Sequence, residues 1–567
     1  MPDLKRTPTS SIHMHHRTRP TPIKWQSHLA DLAPQSCKHT MATLHGLFFL
    51  GTSLLVLLLV LLLRFRRLQG HGKRLPPGPP ALLLLFSAAW LGLTSSPTKA
   101  EPLLRRLFKR YGPIVSLRVG SRLTIFVADH RLAHTALVER GAALADRPNL
   151  ASASLLGVND KYTVTRAGYG PVWRLLRRNL VAETLHPSRA RLFAPARFWA
   201  RRVLVEKLRC SGPDDDGEAP APVMATFQYV VFCLLLFMCF GERLDEGTVR
   251  AIADAQREQL RYMFSKMSVF AFLPSVAEHL LRGRVRTALS LQRRQKELLL
   301  PLIDARREYK KRGREHEPML SKSETTLEHS YVDTLFDVRL PEEGNRPLTD
   351  DEIVNLCSEF LTAGTDTTSS ALQWIMAELV KHQAIQEKLY EEIKAATRDG
   401  QEEASEEDVQ NMPYLKAVVL EGLRKHPPVH FVVPHMASED VEVGGHLIPK
   451  GSTVNFMVAA MGRDEREWKK PMEFIPERFL AGKVVDVTGS TGIRMMPFGV
   501  GRRICAGMNI AMLHLFYLVA NMVREFEWKE AAGHEVDLAE KLDFTVVMKK
   551  PLRPRLVPRK LQPNVQT

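Results

Sequence analysis

The chain is short of cysteine, of acidic charge and of repetition. Six cysteines, Cys37, Cys210, Cys233, Cys239, Cys357 and Cys505, stand among 567 residues. None forms a C-x-x-C pair and their spacing follows no framework, which excludes a disulfide-built secreted scaffold and fits a reducing compartment. No internal repeat is evident, which sets repeat architectures aside. Asp and Glu number 62 against 79 Lys and Arg, a net charge of +17. A basic surface attracts nucleic acid, anionic lipid or acidic protein. No nucleic-acid motif accompanies it, so lipid and an acidic protein are the expected partners. With 45% hydrophobic and 25% charged residues, the composition is otherwise globular.

Asp, Glu, Lys and Arg are all absent from Met41 to Leu63, whose last part reads LFFLGTSLLVLLLVLLL. That is long enough to cross a bilayer with some tilt. Arg64, Arg66, Arg67, Lys73 and Arg74 follow at once. The positive-inside rule therefore places the remainder in the cytosol. An apolar run that ends in arginines rather than a small-residue cleavage site reads as a retained anchor. Pro76-Pro-Gly-Pro-Pro80 then makes a stiff, non-helical spacer. Residues 1–40 are rich in Pro, Thr and His, lack apolar periodicity, and read as a disordered tail or a gene-model extension ahead of Met41. The apolar run 81–93 is too short to span, and 223–240 reads as a buried core helix.

Helical periodicity covers 101–111, 171–182, 248–266, 283–312, 350–380, 383–397, 412–425 and 506–525. Short β-like runs stand at 114–119, 122–127, 440–447 and 453–456. Residues 313–348 read as a connecting loop.

The most specific segment is Pro497-Phe-Gly-Val-Gly-Arg-Arg-Ile-Cys-Ala-Gly507. A cysteine thiolate can ligate haem iron if backbone N–H groups and positive neighbours stabilise its charge. Gly499, Gly501 and Gly507 permit tight turns and close approach. Arg503 offers a guanidinium to a haem carboxylate, and Phe498 can cover the sulfur. On the long helix, Ala363-Gly364-Thr365-Asp366-Thr367-Thr368 puts Ala363 and Thr367 on one face. Small residues there admit a bulky group, and a locally bonded hydroxyl can hold a water in the helix groove. Glu421 and Arg424 share a helix face, and Arg478, in Phe474-Ile-Pro-Glu-Arg-Phe479, is available as a third partner for a buried ion network. Trp173 and Arg177 sit one turn apart as W-x-x-x-R, both able to donate to a propionate.

These motifs, in this order, resemble the cytochrome P-450 superfamily, and the wording around them is similar to the plant microsomal branch near the family numbered 89. The resemblance implies a mainly α fold with a small β region, one large domain over 81–560 carrying haem b, with a tail over 561–567. That overrides the length prior of about three or four domains. It places the anchor at 41–63 and a basic, Pro-rich hinge at 64–80. It implies Cys505 as the iron ligand, Thr367 and Asp366 as the proton relay, and Glu421, Arg424 and Arg478 as a structural triad. Phe498, Gly501, Arg503, Gly507, Trp173, Arg177, His435, Ala363 and Gly364 would border the haem. The implied activity is insertion of one oxygen atom into a hydrophobic or amphiphilic small molecule. Electrons would come from NADPH through a flavoprotein reductase, and the protein would sit in the endoplasmic reticulum membrane. Val429, Phe431, Val432, Val433 and the 147–165 loop would select the substrate. The rival expectations are a haem-thiolate isomerase or dehydratase that needs no O2, and a non-catalytic haem binder.

Overall fold

The computed structural model describes residues 52–53, 75–79, 100–119, 122–148, 160–210, 220–266, 281–315, 325–398, 401–480 and 485–559. The chain divides into two compact units, Met1–Lys73 and Arg74–Thr567. Of the first, Thr52 and Ser53 are described, and both are helical. The 1–40 tail, the rest of the 41–63 anchor, the 81–93 run and the 561–567 tail lie outside the described residues.

The second unit opens on residues 76–79, expected as a stiff, non-helical spacer and non-helical here. Its described residues dock on the first strand. Ser116 N donates to Pro77 O at 2.9 Å, and Ser116 Oγ to Pro76 O at 2.7 Å. Prolines lack an N–H but keep their carbonyls, so this stretch can accept from a strand edge without joining the ladder. Helix α1 (Ala100–Tyr111) follows, then an antiparallel pair, β1 (Ile114–Val119) and β2 (Arg122–Val127). β2 pairs in parallel with β4 (Thr453–Phe456), and β4 antiparallel with β3 (His435–Met436), giving the order β1-β2-β4-β3. Ile114, Ile125, Val127, Val454 and Phe456 seat this sheet on a small core of its own.

The helical body consists of α2 (Pro171–Leu180), α3 (Ala194–Arg209), α4 (Val223–Phe240), α5 (Glu246–Lys266), α6 (Arg282–Glu315), α7 (Asp350–Lys381), α8 (Gln383–Ala396), α9 (Pro413–Lys425) and α10 (Met508–Glu525). α7 is the axis, packed on α4, α6, α8, α9 and α10. Its start is fixed by a capping box: Glu352 N donates to Thr349 Oγ1, and Thr349 N donates back to Glu352 Oε2. α4 is long and apolar enough to cross a membrane but is mostly buried inside the protein. It is the core helix expected from its sequence, closed by Gly241 at φ +74°.

Three expectations need correction. The 313–348 loop contains a helix at Tyr331–Phe336, capped by Ser330 and Asp333, and a strand pair, Arg339–Leu340 with Arg346–Pro347. α2 stops at Leu180 and continues as a wide turn over Val181–Leu185. Helix α3 and two C-terminal strand pairs, Phe526–Glu530 with Pro554–Pro558 and Glu540–Leu542 with Val546–Met548, were not expected at all.

Candidate active site

Cys505 sits three residues before α10, with Gly507 as the helix N-cap. A helix N-terminus presents free N–H groups and partial positive charge to an anion. Cys505 N donates to Phe498 O at 2.8 Å, closing the loop into a tight bend. Burial pushes the Cys505 thiol up, against the Gly507 N–H and the Arg177 charge, which pull it down. Yet the Cys505 side chain is exposed. Dense protein nevertheless surrounds the sulfur. A metal would deprotonate such a thiol outright. Arg177 Nη2 fixes the loop by donating to Ile504 O at 2.5 Å.

The loop glycines serve different ends. Gly501, at φ +76°, has no room for a Cβ, which would lie 2.1 Å from Leu137 O. A Cβ there would point at the backbone turn Thr135–Glu139. Gly507 leaves space beside Cys505 Sγ, which a Cβ would meet at 3.9 Å. The Phe498 ring packs against the helical core.

Above α2, buried guanidinium groups gather. Arg503 Nε donates to Ala145 O at 2.7 Å and Nη2 to Ala167 O at 2.6 Å, and its carbon lies 4.1 Å from the Trp173 ring centre. Trp173 Nε1 donates to Val164 O at 2.9 Å. Arg147, taken from sequence only as part of a substrate loop, belongs here too. Its Nε donates to Thr165 O at 3.0 Å, and its Nη1 to Val433 O and Pro434 O at 2.8 and 2.9 Å. Burial pushes Arg147 down to about 9, helped by the charges of Arg503 and Arg177. Burial likewise pushes Arg503 down to about 10. Asp146 is the carboxylate that acts on both.

Buried cations that repel one another are costly without anions between them. The two carboxylates of a haem match that donor set. Arg147, Arg177, Arg503 and Trp173 thus fit the edge of the group the resemblance implies. His435 fits less directly. Its Nδ1 bonds Leu144 O at 2.7 Å, so it must carry a proton there. Burial and the charges of Arg147 and Arg503 push the ring down to about 3. A carboxylate between these arginines would raise the ring again and let Nε2 donate as well. Arg147 is a further donor there, and its sequence signal was slight: one arginine in AALADRPNL.

On α7, Thr367 Oγ1 donates to Ala363 O at 2.7 Å, the expected back-bond. Ala363 is exposed although Leu361 and residues 368–380 of the same helix are buried. Gly364 is small for a different reason than expected. A Cβ there would lie 2.7 Å from Leu235 Cδ1, so Gly364 lets α4 approach α7. Asp366 Oδ1 accepts from Gln228 Nε2 at 2.8 Å, and burial raises its carboxyl. The structure brings Glu421, Arg424 and Arg478 together. Arg424 Nε and Nη2 reach the two Glu421 oxygens at 2.7 and 2.8 Å, and Arg478 Nε reaches Oε1 at 3.1 Å. Ile475 N and Gly462 O complete the network. Phe431 packs edge-on to Phe126, and Val433 is 44% exposed. Of the 147–165 loop, residues 149–159 lie outside the described residues.

Comparison with known proteins converges on the same reading. The cytochrome P450 family model matches residues 76–556. The chain is 41% identical to Cytochrome P450 89A9 of Arabidopsis thaliana, over 86% of this chain and 94% of that one. It is 33% identical to the Flavonoid 3'-monooxygenase of the same plant, over 91% and 98%. A zebra fish cytochrome P450 structure with progesterone superimposes with a TM-score of 0.64 at 23% identity, covering 81% of this chain and 99% of that one. With the family model across the helical body and the cysteine loop within it, the chain belongs to the cytochrome P450 family of haem-iron, oxygen-inserting oxidoreductases.

Proposed function

We propose that this protein is a membrane-bound monooxygenase that inserts one oxygen atom from O2 into a hydrophobic or amphiphilic small molecule. Its electrons come from NADPH through a flavoprotein reductase. The observation that carries the proposal is the pairing of a Cys505 thiol at a helix N-terminus with a cluster of buried arginines short of counter-ions. Bound there, haem supplies iron that binds and activates O2.

The chain's own residues do the rest. Cys505 holds the metal, and the Gly507 N–H and Arg177 hold its negative charge. Arg147, Arg177 and Arg503 neutralise the carboxylates, with Trp173 beneath Arg503. Ala363 would leave room for the haem. Thr367 would hold a proton at Oγ1 on the Ala363 side of α7, and Asp366 would resupply it. Phe431, Val432 and Val433 present apolar surface that orients a substrate and excludes water. The Glu421–Arg424–Arg478 network fixes the core on the cysteine side.

The 41–63 run anchors the protein in the endoplasmic reticulum membrane with the catalytic domain in the cytosol. The net charge of +17 suits an acidic reductase and anionic lipid. The relatives named as hydroxylating enzymes support the reaction class and leave the substrate open. The test is reconstitution with a plant reductase, NADPH and a panel of apolar small molecules in 18O2. Incorporation of one labelled atom that depends on both reductase and NADPH is expected. A haem-loaded protein that turns over a substrate without O2 would instead be an isomerase or dehydratase.

A further inference from the structure

Asp366 and Thr367 are neighbours in sequence but lie about 100° apart around α7. Thr367 shares the exposed face with Ala363, and Asp366 turns toward α4. There it meets Gln228, the one amide side chain in that 18-residue, almost wholly apolar helix. Gln228 Nε2 donates to Asp366 Oδ1 at 2.8 Å. A polar side chain in an otherwise apolar helix needs a partner, and this one has a carboxylate.

Behind the pair is a cavity of about 410 Å³ between α4, α5 and α7. Gln228, Tyr229, Gln256, Thr362, Thr365 and Asp366 are among the residues that line it. Asp254 and Arg257, also in its wall, have side chains 71% and 39% exposed, so the cavity runs from the surface to Asp366. Gln256 is 6% exposed. Its Nε2 donates to Ser358 O at 2.9 Å and to Thr362 Oγ1, while its Oε1 has no partner. That buried oxygen needs a donor. A water is the smallest donor the cavity admits, and Thr362, Thr365 and Asp366 share the lining with Gln256.

We propose that Gln228 is a positioning residue that holds the Asp366 carboxyl toward this cavity, so that the protons consumed in each turnover enter through it. The inference rests on the relay reading of α7. Each oxygen inserted takes two protons from solvent to form one water. Asp366 regains a proton from cavity water while Gln228 holds it, and gives one up on the Thr367 side when the carboxyl turns about its own side-chain bonds, with no net change. Without the Gln228 bond, the carboxyl is free to rotate and the chain from water to Asp366 is broken for part of the time. Burial, which raises Asp366, favours a carboxyl that holds a proton while it waits.

The test uses full-length protein with reductase, NADPH and a surrogate substrate found by screening. It compares wild type, Q228L, D366N, the double variant and A253F. Ala253 also lines the cavity, so phenylalanine there narrows it from the α5 side without changing Gln228 or Asp366. Product per NADPH, hydrogen peroxide release and the D2O effect on product formation are read. Q228L and A253F should each lower product per NADPH several-fold, raise peroxide and enlarge the D2O effect, with an unchanged carbon-monoxide spectrum. Q228L should add nothing in the D366N background. A helix-packing role for Gln228 would instead multiply with D366N, and that result overturns the inference. D366N uncoupled with Q228L unchanged overturns the inference alone, whereas D366N fully coupled overturns the relay reading as well. Q228L uncoupled with A253F unchanged rules out entry through this cavity.

Discussion

Replacing Gly501 and Gly499 by alanine, in parallel, separates backbone strain from steric contact in the cysteine loop. Both glycines have positive φ, +76° and +68°. A side chain in that region costs about 1–2 kcal/mol. They differ in surroundings: a Cβ on Gly499 meets only Val432 Cγ1 at 3.9 Å, whereas one on Gly501 lies 2.1 Å from Leu137 O. Real Cβ contacts of that kind do not fall below about 3 Å, so loop and turn must part by roughly 1 Å. Overpacking adds about 1–3 kcal/mol. The total is then roughly 2–5 kcal/mol for G501A against 1–2 for G499A. The displacement falls four residues from Cys505, where misplacement by about 1 Å can reduce activity on the order of a hundredfold. Haem per protein and the height of the thiolate-type carbon-monoxide band are the assays. G499A should load haem nearly as wild type does, with a modestly lower thermal midpoint. G501A should lose most of the band. Equal behaviour of the two variants would refute the claim that Gly501 is required by the approach to Leu137.

Thr367→Ala should keep haem and NADPH consumption but lower product formation by about a hundredfold, with more peroxide released; unchanged product per NADPH would return the 363–368 segment to helix packing. Glu378→Gln should destabilise by about 3 kcal/mol, because it leaves Lys425, bound to Glu378 at 2.6 Å, buried without a counter-ion. Burial raises Glu378, but His382, His426 and Lys425 hold it below the carboxylate value of 4.5, and His382 is raised above 6.5 in return. The carboxylate's share of stability is present above about 4.5 and is lost as pH falls through its depressed native value, while the His382 share is present below about 6.5 and is lost as pH rises through its raised value. The stability gap between wild type and E378Q should therefore be widest near pH 5–6, and a gap that grows toward pH 3 in thermal melts would contradict the network. Deleting residues 1–40 should leave membrane association intact, whereas deletion through Leu75 should release much of the protein, as read by fractionation. Release by the shorter deletion would place the anchor in the tail.

Long, regular helices with local stop signals were readable from sequence. α7 begins at Asp350 because Thr349 and Glu352 cap it within four residues, and α9 ends before Pro427-Pro428. Elements that depend on distant partners were not. Helix α3 carries Arg197 and Arg201 on its buried side, which breaks the apolar stripe. Their counter-charges, Glu406, Glu402 and Glu525, lie some two hundred residues or more away. Tyr331–Phe336 is too short to show a period. The C-terminal strands hold three to five residues, and the last begins and ends in proline, so alternation had no length in which to appear. In the site, Cys505, Thr367 and the Glu421–Arg424 pair announce themselves by local spacing. Arg147 does not, because its partners, Val433 and Pro434, are remote in sequence. Gly364 and Gly501 were legible as tight positions, but what they are tight against, Leu235 and Leu137, appears only in three dimensions.

The central claim is that Cys505 holds haem iron as a thiolate. The most direct test is the reduced carbon-monoxide difference spectrum of the full-length protein beside C505A, both purified with haem supplied. Wild type should give the thiolate-type Soret band with close to one haem per chain. C505A should give none of that band, since among the described residues no other cysteine lies at a helix N-terminus beside buried arginines. The same band in C505A, or its absence from haem-loaded wild type, would contradict the assignment.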